Sequence, residues 1–98
     1  MQLFAIRRRN AWKSAEELEE VGGRSKQIGD EEMPDDIRWI RTYVLNDEGG
    51  TLGSICIYQA SSMEAIRDHA SRVGMPADEI TAIADTVLVR PDPEPAAA

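Results

Sequence analysis

The sequence predicts an α+β protein with a ferredoxin-like fold in the order β-α-β-β-α-β. Three features predict it: segments rich in β-branched and aromatic residues, two segments with helical periodicity and capping signals, and a hairpin loop between the two central segments. In this fold a four-stranded antiparallel sheet carries both helices on one face. The predicted strands are apolar on both sides, so we expect a second copy to cover the other face and form a dimeric α+β barrel.

The first strand and the first helix follow from local pattern. The segment QLFAIRRR (residues 2–9) alternates loosely, with Phe4 and Ile6 on one side and Leu3 and Ala5 on the other, and predicts a strand. Ser14 and Glu17 form a capping box that begins a helix, and Pro34 ends it. The pair Gly22-Gly23 interrupts this helix, which indicates a kink or the close approach of a neighbouring element.

Two strands joined by a tight loop form the middle of the chain. Residues 37–46 and 51–60 are rich in β-branched and aromatic side chains, and DEGG (residues 47–50) between them is typical of a hairpin loop. Strict alternation along the first of these strands places Trp39, Arg41 and Tyr43 on one face.

The last third of the chain predicts a helix, a strand and a tail. Ser61 and Glu64 form a second capping box, and Gly74 is typical of a left-handed C-cap. Residues 80–90 predict the last strand, although the first half of this segment is also compatible with a helix. We therefore expect residues 1–90 to form a single ferredoxin-like domain, followed by a disordered Pro- and Ala-rich tail at residues 91–98.

The composition of the chain argues against some classes of binding partner. Eighteen acidic against eleven basic residues give a net charge of −7, which argues against nucleic acid. The basic cluster Arg7-Arg8-Arg9 is best explained as a strand end with a solvated face. No apolar segment is long enough to span a membrane, none has the pattern of a signal peptide, and a single cysteine fits a reducing compartment. We expect a cytoplasmic protein that binds neither nucleic acid nor membrane.

Chemistry-bearing side chains lie on the central strands and the second helix. His69 is the only histidine and falls near the edge of the apolar stripe of its helix, so it is a metal ligand, a general base or a packed histidine. Cys56 lies in mid-strand, where a small buried hydrophobe is the simplest interpretation. Trp39 and Tyr43 with Arg41 between them suit either packing or the wall of a ligand pocket with an anion anchor.

Three segments, IRWIRTYV, SICIYQA and EAIRDHASRVGMPADEI, resemble the family of small domains described as nickel-binding-protein-like. The resemblance covers residues 2–90. It implies a ferredoxin-like fold, and it makes nickel a candidate cofactor. The residues that match the family pattern are Trp39, Thr42, Tyr43, Cys56, Tyr58, His69, Gly74, Pro76 and Ile80.

Three functions from different classes remain open on the sequence. The favoured one is a homodimeric protein that binds a small ligand or a transition-metal ion, lined by Tyr43, Cys56, Tyr58 and His69 with Trp39 and Arg41 nearby. The alternative is a cofactor-independent dimeric α+β-barrel enzyme of the monooxygenase or isomerase type, with His69 as general base. A purely structural interaction module is a third interpretation, and the fold itself hosts all three.

Overall fold

The computed structural model describes residues 1–93. Four strands form one antiparallel sheet in the order β2-β3-β1-β4, and both helices pack against the same face of it. This confirms the predicted ferredoxin-like βαββαβ fold. Of the predicted disordered tail, residues 94–98 lie outside the described part of the chain. The elements are β1 (Gln2–Trp12), α1 (Ala15–Glu32), β2 (Ile37–Asn46), a 3-10 turn (Glu48–Gly50), β3 (Leu52–Ala60), α2 (Met63–Val73) and β4 (Glu79–Ala82).

The hydrophobic core lies between the two helices and the sheet. Strands β1 and β3 lie at the centre and pair directly, with Phe4 opposite Tyr58 and Ile6 opposite Cys56. Alternate residues of a strand face opposite sides, so these four side chains point to the helices together. The buried residues of the core are Phe4, Ile6, Met33, Ile37, Cys56, Tyr58, Ala60, Ala65 and Ile66.

Helix boundaries agree with the capping signals at three of four ends. The Ser14 hydroxyl accepts a hydrogen bond from the backbone N–H of Glu17, and Gly74 adopts a left-handed conformation with φ +87°. Helix α2, however, is capped by Ser62 and not by Ser61. The Ser61 hydroxyl instead donates to the Asp36 carboxylate at 2.9 Å. The capping-box prediction was wrong by one residue because a partner distant in sequence holds Ser61.

Helix α1 runs without interruption through Gly22 and Gly23. A Cβ atom at Gly22 would lie 3.7 Å from the Trp39 ring, whereas one at Gly23 would meet nothing. No kink forms, and 3.7 Å is an ordinary van der Waals contact, so close approach does not require the first glycine. Nothing in the structure explains either glycine.

The last strand is much shorter than residues 80–90. Strand β4 pairs only with β1, and the pairing runs from Glu79 opposite Arg7 to Ala82 opposite Phe4. One further backbone hydrogen bond joins Ile83 to Leu3. Residues 84–90 pair with no strand in the described part of the chain and have no regular structure.

Strand β2 contains a β-bulge that changes which residues share a face. Trp39 lies opposite Tyr58, but Arg41 lies opposite Ile57, so Ile40 is an extra residue in the ladder. Trp39 therefore faces the helices, whereas Arg41 and Tyr43 face the other side. The prediction that all three share a face was wrong, because strict alternation fails at a bulge.

None of the helices in residues 1–93 is long and apolar enough to cross a membrane. The cytoplasmic location stays a prediction.

Candidate functional site

A cavity of about 30 Å³ lies between helix α1 and the sheet. It brings together three of the six residues predicted from sequence, namely Trp39, Cys56 and Tyr58. Strand alternation places Cys56 and Tyr58 there, and the bulge adds Trp39. The full lining is Arg8, Trp12, Leu18, Val21, Gly22, Ser25, Trp39, Thr42, Cys56, Tyr58 and Met75.

The Cys56 thiol is buried among hydrogen-bonding side chains. Its Sγ atom accepts from Arg8 Nη1 at 3.2 Å and from Thr42 Oγ1 at 3.2 Å. Its S–H group donates to the Ser54 hydroxyl at 3.6 Å. The Thr42 hydroxyl is fixed in turn, because the Trp39 indole N–H donates to it at 2.7 Å. Cys56 is thus a satisfied polar group within the core rather than a simple hydrophobe.

Tyr58 lines the cavity with both its ring and its hydrogen-bonded neighbours. Its hydroxyl lies 3.2 Å from the Ser25 hydroxyl, and its ring stacks on Trp39 with centroids 6.2 Å apart. Burial raises the pKa of Tyr58 to about 12, although the nearby Arg8 charge acts in the opposite direction. The phenol therefore stays protonated and serves as a hydrogen-bonding group.

His69 lies behind Tyr58, with ring centroids 5.6 Å apart, and it is not among the residues that line the cavity. Its side chain is 1 % exposed, and Nε2 lies 3.0 Å from the Ser25 carbonyl oxygen. A carbonyl only accepts, so Nε2 carries the proton. Burial lowers the pKa of His69, and the Arg8 charge lowers it further, while the Ser25 carbonyl acts against both. The neutral ring packs in the core, and its hydrogen bond to Ser25 joins α2 to α1.

Arg41 and Tyr43 lie on the opposite side of the sheet, in an open cleft of about 410 Å³. Asp92, in the C-terminal segment, contacts these two residues without itself lining the cleft, whereas Asp85 does line it. The Asp92 carboxylate lies 2.7 Å from Arg41 Nη1 and accepts from the Tyr43 hydroxyl at 2.8 Å. The six predicted residues thus divide between two sides of one sheet: Arg41 and Tyr43 on one, the other four on the helix side.

The sequence interpretation missed Arg8. In the basic cluster, Arg7 pairs with Asp47 at 2.8 Å and Arg9 pairs with Glu79 at 2.8 Å. Arg8 instead is 2 % exposed and faces the helices. The signal was available, because Arg8 continues the inward alternation of Phe4 and Ile6.

The residues present do not fit a nickel ion within one chain. Among residues 1–93 no group of three or more His, Cys, Asp or Glu side chains is placed to hold a metal. The Cys56 sulfur is 3.2 Å from a guanidinium, whose positive charge opposes a cation there. The Nε2 atom of His69 is already held by a carbonyl.

Comparison with known proteins gives one family and one structure. A family profile described as nickel responsive protein, SCO4226-like, matches residues 4–83. The crystal structure of SCO4226 from Streptomyces coelicolor A3(2) aligns with a TM-score of 0.69 and 17 % identity, over 87 % of this chain and 99 % of that one. No curated protein matches the sequence. The family match confirms the resemblance, and the structural match supports the fold.

We expect His69 to titrate below its ordinary pKa of 6.5, because burial and Arg8 outweigh the Ser25 carbonyl and the charge of Asp68. The unfolded chain then binds a proton at higher pH than the folded chain. The free energy of unfolding should therefore fall as pH drops below about 6.5 and level off below the folded pKa. NMR titration of the single His Cε1 proton measures the midpoint. A midpoint above 6.5 would contradict the buried neutral ring.

Proposed function

We propose that this chain, which belongs to the SCO4226-like family of nickel responsive proteins, is a homodimeric binding protein that encloses a small ligand between two sheets. The sheet faces that meet are those turned away from the helices. The observation that carries the proposal is the Arg41–Tyr43–Asp92 cluster, a carboxylate held beside a cleft whose lining is mainly apolar and includes Asp85 and Thr86.

The face that lacks helices supports the homodimer. Ile40 is 43 % exposed and Tyr43 is 42 % exposed there, and Leu3 and Ile57 line the same cleft. A chain of 98 residues has a small core, so a second copy of this face would add buried apolar area. The dimeric α+β barrel follows if two such faces meet.

The chemistry of the ligand follows from what Arg41 and Tyr43 already hold. The guanidinium and the phenol bind the Asp92 carboxylate through two charge-assisted contacts of 2.7 and 2.8 Å. A ligand that displaces Asp92 would present an anionic group to the same pair and an apolar body to Ile40 and Ile57. This is the usual composition of a small-molecule site.

A binding role suits the geometry better than catalysis or nickel coordination. The candidate general base, His69, is buried, bonded to a carbonyl and absent from the residues lining the cleft. Nickel is a second candidate on the description of the family, but residues 1–93 of one chain do not assemble its ligands. A nickel site would have to draw ligands from a second chain.

The dimer can be tested with Ile40→Glu. In the dimer this glutamate would be desolvated without a partner, so we expect the variant to sediment as a monomer of 10.9 kDa. Val44→Glu is the matched control: Val44 lies on the same strand, is 52 % exposed, and faces the helix side. Sedimentation velocity at micromolar concentration gives the masses. A wild-type monomer, or a dimer in both variants, would contradict the proposed interface.

The ligand site can be tested with 8-anilinonaphthalene-1-sulfonate, which carries an apolar body and an anionic group. We expect Arg41→Met to weaken its binding about tenfold through loss of a charged contact. Asp92→Ala should strengthen binding severalfold, because it removes the internal competitor. Arg67→Met, on the surface of α2, is the control for net charge. Fluorescence titration measures each dissociation constant, and equal constants in all four proteins would place the probe elsewhere.

A further inference from the structure

We propose that residues 84–92 form an arm that packs against a second copy of this chain, on the sheet face that lacks helices. The inference rests on the homodimer of the proposed function and adds the segment through which each copy contacts the other. The arm begins directly after residues 4–83, the part of the chain that the family profile matches, so the family match does not describe it.

The arm crosses the sheet on the side without helices. It follows β4 at one edge, where the Ile83 N–H donates to the Leu3 carbonyl at 2.9 Å. Near its other end the Asp92 carboxylate contacts Arg41 and Tyr43 on β2, the strand at the opposite edge. Because the sheet holds the arm at both ends, the residues between them stay on this side of the sheet.

Three consecutive apolar side chains of the arm lie in solvent. Val87 is 86 % exposed, Leu88 is 70 % exposed and Val89 is 80 % exposed, so one copy does not bury the apolar part of its own arm. Val87 and Leu88 line the same cleft as the half-exposed Ile40 and Tyr43, which makes the exposed apolar surface continuous. A continuous exposed apolar surface of this kind marks an interaction site.

A second copy of the chain is the partner that fits this surface. The net charge of −7 opposes self-association wherever unpaired acidic groups would meet. On this face, however, Arg41 is paired with Asp92 at 2.7 Å, and the arm also carries Asp85 and Arg90, whose charges have opposite signs. Two copies can therefore meet here without strong like-charge repulsion. In a two-fold symmetric dimer each arm makes the same contact with the partner.

Val89→Glu tests the arm in the full chain, because Val89 is exposed and does not line the cleft of its own copy. Val44→Glu is the matched control, since it makes the same exchange at an exposed valine on the helix side. We expect Val89→Glu to raise the dimer dissociation constant about tenfold or more, because the new carboxylate would be desolvated, and Val44→Glu to leave it unchanged. Sedimentation equilibrium measures both constants. An unchanged constant in Val89→Glu would overturn the proposal.

The same measurement separates the arm contact from the homodimer on which it rests. A wild-type dimer that Ile40→Glu dissociates and Val89→Glu does not would overturn the arm contact and leave the sheet-face dimer intact, whereas a wild-type monomer would contradict both. Methyl NMR with a soluble gadolinium chelate gives an independent readout. The methyl groups of Val87, Leu88 and Val89 should broaden less in the wild-type dimer than in monomeric Ile40→Glu, and equal broadening would overturn the proposal.

Discussion

The β-bulge at Ile40 determines which side chains can act together, because groups on opposite sides of a sheet cannot reach one small ligand. One extra residue in β2 turns Trp39 toward the helices and leaves Arg41 and Tyr43 on the other side. Without the bulge the two large rings would flank Arg41 on a single wall. With it, Trp39 stacks on Tyr58 and closes the cavity beside Arg8, while Arg41 and Tyr43 hold a carboxylate beside the open cleft. The bulge thus places Arg41 on the side of the sheet opposite Arg8, which the alternation of β1 turns toward the helices.

The two guanidinium groups differ in how their charge is stabilised. Arg41 is half-exposed and pairs with Asp92, so both solvent and a carboxylate stabilise its charge. Arg8 is 2 % exposed and has no carboxylate partner among residues 1–93, and its guanidinium donates to the Pro76 carbonyl and to the Cys56 sulfur. Replacing Arg8 with an apolar residue of similar volume would remove a desolvated charge, and such replacements are often neutral or stabilising in other proteins.

Much of the fold could be predicted from the sequence because its signals are local. Capping boxes, a hairpin loop and alternating strands depend on neighbours within a few residues, and they gave the order of elements. The predictions of element boundaries and strand register were wrong where a residue distant in sequence determines the local structure. Asp36 holds Ser61 and moves the cap of α2 to Ser62. Strand β4 pairs with β1 over only four residues, and the Ile40 bulge depends on the pairing of β2 with β3.

The candidate site was harder to predict from the sequence, again because contacts between residues distant in sequence determine it. Residue type singled out His69 and Cys56, but hydrogen bonds invisible in the sequence commit them to the Ser25 carbonyl and to Arg8. Arg8 was interpreted together with its charged neighbours as part of a solvated cluster, although the alternation of β1 placed its side chain inward. Asp92 lies in a segment whose composition predicts a tail, and only its contact with Arg41 and Tyr43 marks it.

The central claim is that His69 and Cys56 do not coordinate one metal ion. Calorimetric titration with Ni(II) tests it most directly. Wild type, His69→Gln and Cys56→Ser should give the same isotherm, because one side chain is held by a carbonyl and the other lies against a guanidinium. A nickel affinity that is lost in both variants would show that the two residues coordinate one ion, and it would contradict the division of the sites described above.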